Sequence, residues 1–166
     1  MSLVESVLPL GGVALGAVGS YLATRAGDRT KWDRVQATRW DARRVEAYVE
    51  FAFALMNVYH LCRQLAAGLS LPTTAEALPL DEGVDRLVQL RAEASVRWET
   101  VRLLGQDDTV DAGRAWRDAV WELDRIVRGV SPRDPDGWRL AKKAADHERV
   151  KFYAAARSDL GVANLP

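Results

Sequence analysis

The sequence is poor in the side chains from which many sites are built. It has one cysteine, Cys62, and two histidines, His60 and His147, in 166 residues. A single cysteine excludes an intramolecular disulfide and any multi-cysteine zinc site. Neither sign of charge is in excess, since 23 Lys+Arg balance 23 Asp+Glu, and this argues against a generic nucleic-acid binder. Nothing alternates with period two for long enough to make a strand. There is no P-loop, no GxGxxG after a strand, no GxSxG and no HExxH. Proline is missing between Pro9 and Pro72, so a helix can run through that stretch unbroken.

The few candidate ligands are badly spaced for metal. Di-iron bundles place Glu three residues before His on two helices, and neither His60 nor His147 has one there. His60 and Cys62 fall about 200° apart on a helix and cannot share an ion. Glu46, Glu50, His60 and Gln64 lie on one polar strip, which reads as a solvated face, an ion site being the alternative. Asp146, His147 and Glu148 are consecutive, so they diverge by about 100° each and read as surface polarity. No catalytic, metal or cofactor site is expected.

What is there begins with the order of the charges. Residues 1–24 hold one charged side chain, Glu5. Residues 25–44 hold seven positive and three negative ones, among them Arg25, Arg29, Lys31 and Arg34. The remainder holds 16 positive and 19 negative. The chain is therefore an apolar head, a basic neck of net +4 and a mildly acidic body of net −3.

Ser6 to Thr24 gives 19 consecutive uncharged residues, about 28 Å of helix against a bilayer core of about 30 Å. A cleaved signal peptide would carry a positive start, which is missing here. A buried soluble helix is the other rival, because four glycines and a proline weaken the span. The expectation is a transmembrane anchor over 1–24, a basic helical neck over 25–44 and a bundle over 45–166. The positive-inside rule puts the N-terminus outside and the body in the cytoplasm, at the inner membrane. Gly12-x-x-x-Gly16 and Gly16-x-x-x-Ser20, with Gly19 beside them, allow close helix approach in lipid; homo-oligomers through this face are one reading, and the ordinary abundance of glycine in transmembrane helices is the other.

The body reads as four amphipathic helices: 45–69, 84–104, 108–128 and 138–160. In the first, Val45, Tyr48, Val49, Phe51, Ala52, Leu55, Val58, Tyr59, Cys62 and Leu65 fall on one broad arc. Phe53 falls on the opposite strip. Trp98, Trp116 and Trp138 sit on or beside apolar stripes, and Glu93–Arg97 forms an i,i+4 pair. Gly105 and Gly161 read as helix ends. Trp32, Trp40 and Trp121 stand among arginines on nominally outer faces, a composition found at interface hot spots, and mark a candidate partner surface.

Arg44, Ala47, Tyr48 and Phe51 form R-x-x-A-Y-x-x-F after a glycine-rich span and an arginine-rich neck. With the ending Phe152-Tyr153-Ala154-Ala155-Ala156-Arg157-Ser158-Asp159-Leu160-Gly161, this resembles uncharacterised actinobacterial single-pass membrane-anchored helical proteins. The resemblance implies an architecture and carries over no activity.

The expected fold is all-α, an N-terminal transmembrane helix continuing into an antiparallel four-helix bundle. The expected role is a non-enzymatic, membrane-anchored interaction or assembly module with a protein partner and no nucleic acid. Two alternatives stand beside it. One is a soluble assembly subunit, viral in type, using the glycine-rich helix as a protein seam. The other is a bundle that binds a small ligand or acts as an enzyme.

Overall fold

The computed structural model describes residues 40–162. The chain divides between Ala42 and Arg43, and residues 40–42, all that is described of the first unit, are helical and exposed. The expected span and most of the neck therefore lie outside the described residues, with Gly12, Gly16, Gly19, Ser20, Arg25, Arg29, Lys31, Trp32 and Arg34. Among the described residues no helix is long and apolar enough to cross a membrane.

The second unit is all-α. Its helices are α1 (43–68), α2 (Leu80–Leu104), α3 (Asp107–Val127) and α4 (Pro135–Asp159). Inter-helix bonds set their directions. Arg44 Nε reaches the Leu104 carbonyl, Arg97 reaches Glu50, and the Leu78 amide reaches the Gln64 carbonyl, so α1 and α2 are antiparallel. Tyr48 meets Asp159 and Tyr59 meets Asp146, so α1 and α4 are antiparallel too. The α3 and α4 backbones pack closely, whereas α2 and α3 approach sparingly. Long side chains bridge that wider gap, Arg91 from α2 to Asp124 of α3 among them.

The helix starts differ from expectation for local reasons. α4 begins at Pro135, ahead of the expected start at Trp138. Asp134 is held extended before proline and accepts from the Asp136 and Gly137 amides, so it is the cap. Gly105 ends α2 in an extended rather than a left-handed conformation. Crowding demands the glycine, since a Cβ there would lie 2.9 Å from the Val101 carbonyl oxygen and 3.1 Å from the Tyr48 hydroxyl. Gly161 does adopt positive φ, 69°, as its sequence context implied. Ser70 (φ 58°) turns the chain out of α1 into the 70–79 loop, which Trp138 fastens by donating its indole N–H to the Pro72 carbonyl.

Phe51 is the centre of the core. Its ring is fully buried, 5.3 Å from Trp98 of α2, 5.9 Å from Trp116 of α3 and 5.4 Å from Phe152 of α4. Edge-to-face and tilted contacts of this kind add about 0.5–1.5 kcal/mol per pair beyond the area they bury. One side chain of α1 thus touches all three other helices. The expected arc on α1 was too wide, however: Val45 and Val49 are exposed at 44% and 62%. Three neighbouring helices cover about half of the α1 circumference, and these two valines lie past the edge of that cover.

Gly113 lets Trp98 and Phe152 close over α3, because a Cβ there would lie 2.8 Å from Trp98 and 3.3 Å from Phe152. Gly113→Ala should therefore destabilise the fold by about 1–3 kcal/mol through overpacking. At an uncrowded helical site the same change gains about 1 kcal/mol. A lowered thermal midpoint by circular dichroism is the expected result.

Candidate docking face

Among the described residues, three clusters of polar side chains are each built around an aspartate. At one end Asp159 of α4 accepts from the Tyr48 hydroxyl, from Arg44 at 3.4 Å and from the Gln106 amide at 3.3 Å. Its side chain is nearly buried. The carboxylate therefore stands at the start of α3, where the helix dipole favours negative charge. Burial first, and then the Asp159 carboxylate, push the Tyr48 phenol well above its ordinary 10.0. This cluster joins α1, α4 and the α2–α3 junction. Three of the four residues of the R-x-x-A-Y-x-x-F pattern (Ala47, Tyr48 and Phe51) are buried, and the fourth, Arg44, reaches the cluster.

Further along the same seam, Asp146 accepts from Tyr59 at 2.9 Å and from Lys142 at 2.9 Å, with Arg149 at 3.7 Å. Burial acts to raise the Asp146 pKa, but the bonds from Lys142 and Tyr59 together outweigh it and hold the carboxyl below its ordinary 3.8. Tyr59 is displaced upward from 10.0, by burial first and then by Asp146. Read from the sequence as surface polarity, Asp146 is instead an inter-helix contact. His147 beside it is exposed, and Glu148 pairs with Lys151 on its own helix.

The third cluster lies between α2 and α3. Asp124 is fully buried and takes Arg91 at 2.6 Å and Arg128 at 2.9 and 2.7 Å. Two guanidinium groups on one carboxylate supply the charge and hydrogen bonds that a buried anion needs. Arg91 also lies 4.8 Å over the Trp121 ring. Trp121, singled out as part of a partner surface, is half-buried against the core with Arg91 on its face, and Arg125 lines the same groove. Cys62 is buried near this cluster; burial, and next the Asp124 charge, drive its thiol far above the ordinary 9.0.

The other sequence candidates are dispersed. Trp40 is exposed and belongs to the first unit. Arg97 pairs with Glu50 across helices at 2.9 Å instead of with Glu93. His60 is exposed, and among the described residues no group of three or more His, Cys, Asp or Glu could hold a metal ion.

An apolar face is left uncovered on the outside of α1. Val45, Val49 and Phe53 follow one another at every fourth residue along the outside of α1, and Phe53 is 68% exposed. Beside the two valines runs a groove along the α1–α4 seam, lined by Tyr48, Phe152, Tyr153, Ala156, Arg157 and Leu160. Tyr153 is itself partly exposed while its ring touches Trp116, 5.8 Å away. Sequence reasoning missed this face because it assigned Val45 and Val49 to the core and left Phe53 alone on a wet strip. The signal was an i, i+4, i+8 apolar series displaced from the centre of the main arc. No protein-family model, curated protein or solved structure matches this chain.

Two measurements check the clusters. The contribution of Asp146 is full above the unfolded value near 3.8 and is lost as pH falls through the lower folded value. That of Tyr59 is full below 10.0 and is lost as pH rises through its higher folded value. Asp146→Asn should flatten the acid limb of the stability–pH curve, and Tyr59→Phe the alkaline limb, in urea titrations. The buried, protonated Cys62 should resist a thiol reagent in the folded chain and react only with urea present; rapid labelling without urea would contradict its placement.

Proposed function

We propose that this chain is a membrane-anchored helical interaction module, held by its N-terminal head and docking protein on the α1–α4 face. The observation that carries the docking half is the stripe Val45–Val49–Phe53 bordering an apolar groove. Large apolar side chains grouped on one face, with an exposed ring among them, have the composition of a binding hot spot. The buried polar groups support a non-enzymatic role, because the three aspartates are engaged in joining helices. The anchor half is supported by the uncharged run 6–24 followed by seven basic residues in twenty.

Both halves can be tested on the full chain in cells. A photo-crosslinking residue at Val49 should give protein adducts, and one at Val96, equally exposed on α2, should not. Phe53→Asp should weaken adduct formation about tenfold or more, the loss of a hot-spot ring, with helix content unchanged. Equal adducts at both positions would sink the docking half. Recovery of the full chain in the soluble fraction without detergent would sink the anchor half.

A further inference from the structure

We infer that the occupant of this face is a second copy of the same chain, seated so that two α1 helices run side by side in the same direction. The inference rests on the docking reading above and adds the identity of the partner. It is carried by the distribution of charge around the apolar stripe.

At about 100° per residue, Val45, Val49 and Phe53 fall near 0°, 40° and 80° around α1, and Glu46 falls near 100°, on the flank away from α4. Arg157 lines the opposite flank, on α4. Glu46 has Arg43 at 3.7 Å, with the two side chains 59% and 71% exposed, a contact worth little in water. Arg157 makes no ion pair among the described residues. The face is therefore positive on one flank, negative on the other and apolar between. Such a surface is complementary to itself.

A twofold axis laid along α1 brings each flank onto the opposite flank of the other copy. Arg157 of one chain then meets the partner subunit's Glu46, and the pair occurs twice. The heights agree. Tyr48 and Asp159 are bonded across the seam; Glu46 lies two residues to one side of that level and Arg157 two to the other. At 1.5 Å per residue the offset is about 6 Å, within reach of an arginine and a glutamate side chain. The same axis brings Val49 and Phe53 beside their own symmetry mates. A rim carrying charges of both signs gives no advantage to a strongly acidic or basic partner. The common direction is the one that two chains anchored in one membrane must share, and the Gly12–Gly16–Ser20 spacing read in the sequence suits their close approach.

The test uses the full chain in detergent or vesicles with copper-catalysed oxidation, buried Cys62 serving as an internal thiol that does not react. Val49→Cys should give a disulfide-linked dimer, because identical residues on the axis come within bonding distance. Val96→Cys should stay monomeric. Arg157→Glu should lower the dimer yield several-fold, and the double variant Arg157→Glu with Glu46→Arg should restore it. Equal dimer at positions 49 and 96, or failure of the charge swap to restore the yield, overturns the inference. No dimer at position 49, with Phe53-dependent adducts to other proteins persisting in cells, also overturns it while leaving the docking reading intact.

Discussion

Burial of the Phe51 ring is the contact on which the rest of the bundle depends. Trp98, Trp116 and Phe152 come from three different helices, and all three pack against Phe51. Its removal would leave a cavity at a point common to all four helices, and the cost of such cavities grows with their volume. Apolar burial is non-directional, however, and four amphipathic helices can pack in more than one register. The aspartate clusters supply the direction. Tyr48–Asp159 and Tyr59–Asp146 fix α1 against α4 at two heights, and Arg91–Asp124 fixes α2 against α3. A slip of any helix would leave a carboxylate buried without its partner.

This division explains what could be read from the sequence. Helix number, order and approximate ends follow from the 3.6-residue period and from proline and glycine, and these are visible in one dimension. Trp98, Trp116 and Trp138 were legible as core residues for the same reason. The acceptors were not. Asp124, Asp146 and Asp159 resemble any solvent-facing aspartate in sequence, because the donors that tie them to other helices lie up to 115 residues away. The docking face was hidden by a related ambiguity. Val45 and Val49 satisfy the periodic test for burial, and only the positions of neighbouring helices decide whether anything covers them.

α1 therefore carries two surfaces of different purpose. The inner one is aromatic and aliphatic and is fully covered by the other helices of its own chain. The outer one is a narrower stripe, about a right angle wide, next to the α4 seam. Residues as close in sequence as Phe51 and Phe53 belong to different surfaces, since two helical steps turn a side chain by about 200°. Cys62 and His60 divide in the same way, one sealed in the core and the other in water.

The long separation between α1 and α4 has a consequence for biogenesis. Tyr48 finds Asp159 across 111 residues. A ribosome adding about 5–20 residues per second needs about 5–20 s to travel that distance. For that interval α1 is present without the helix that covers one side of its apolar arc, and until Phe152 is made Phe51 lacks at least one of its three aromatic neighbours. The nascent chain thus passes through a stage that is helical, incomplete and adhesive. Closure comes late, when α4 arrives and its aspartates pick out the two waiting tyrosines.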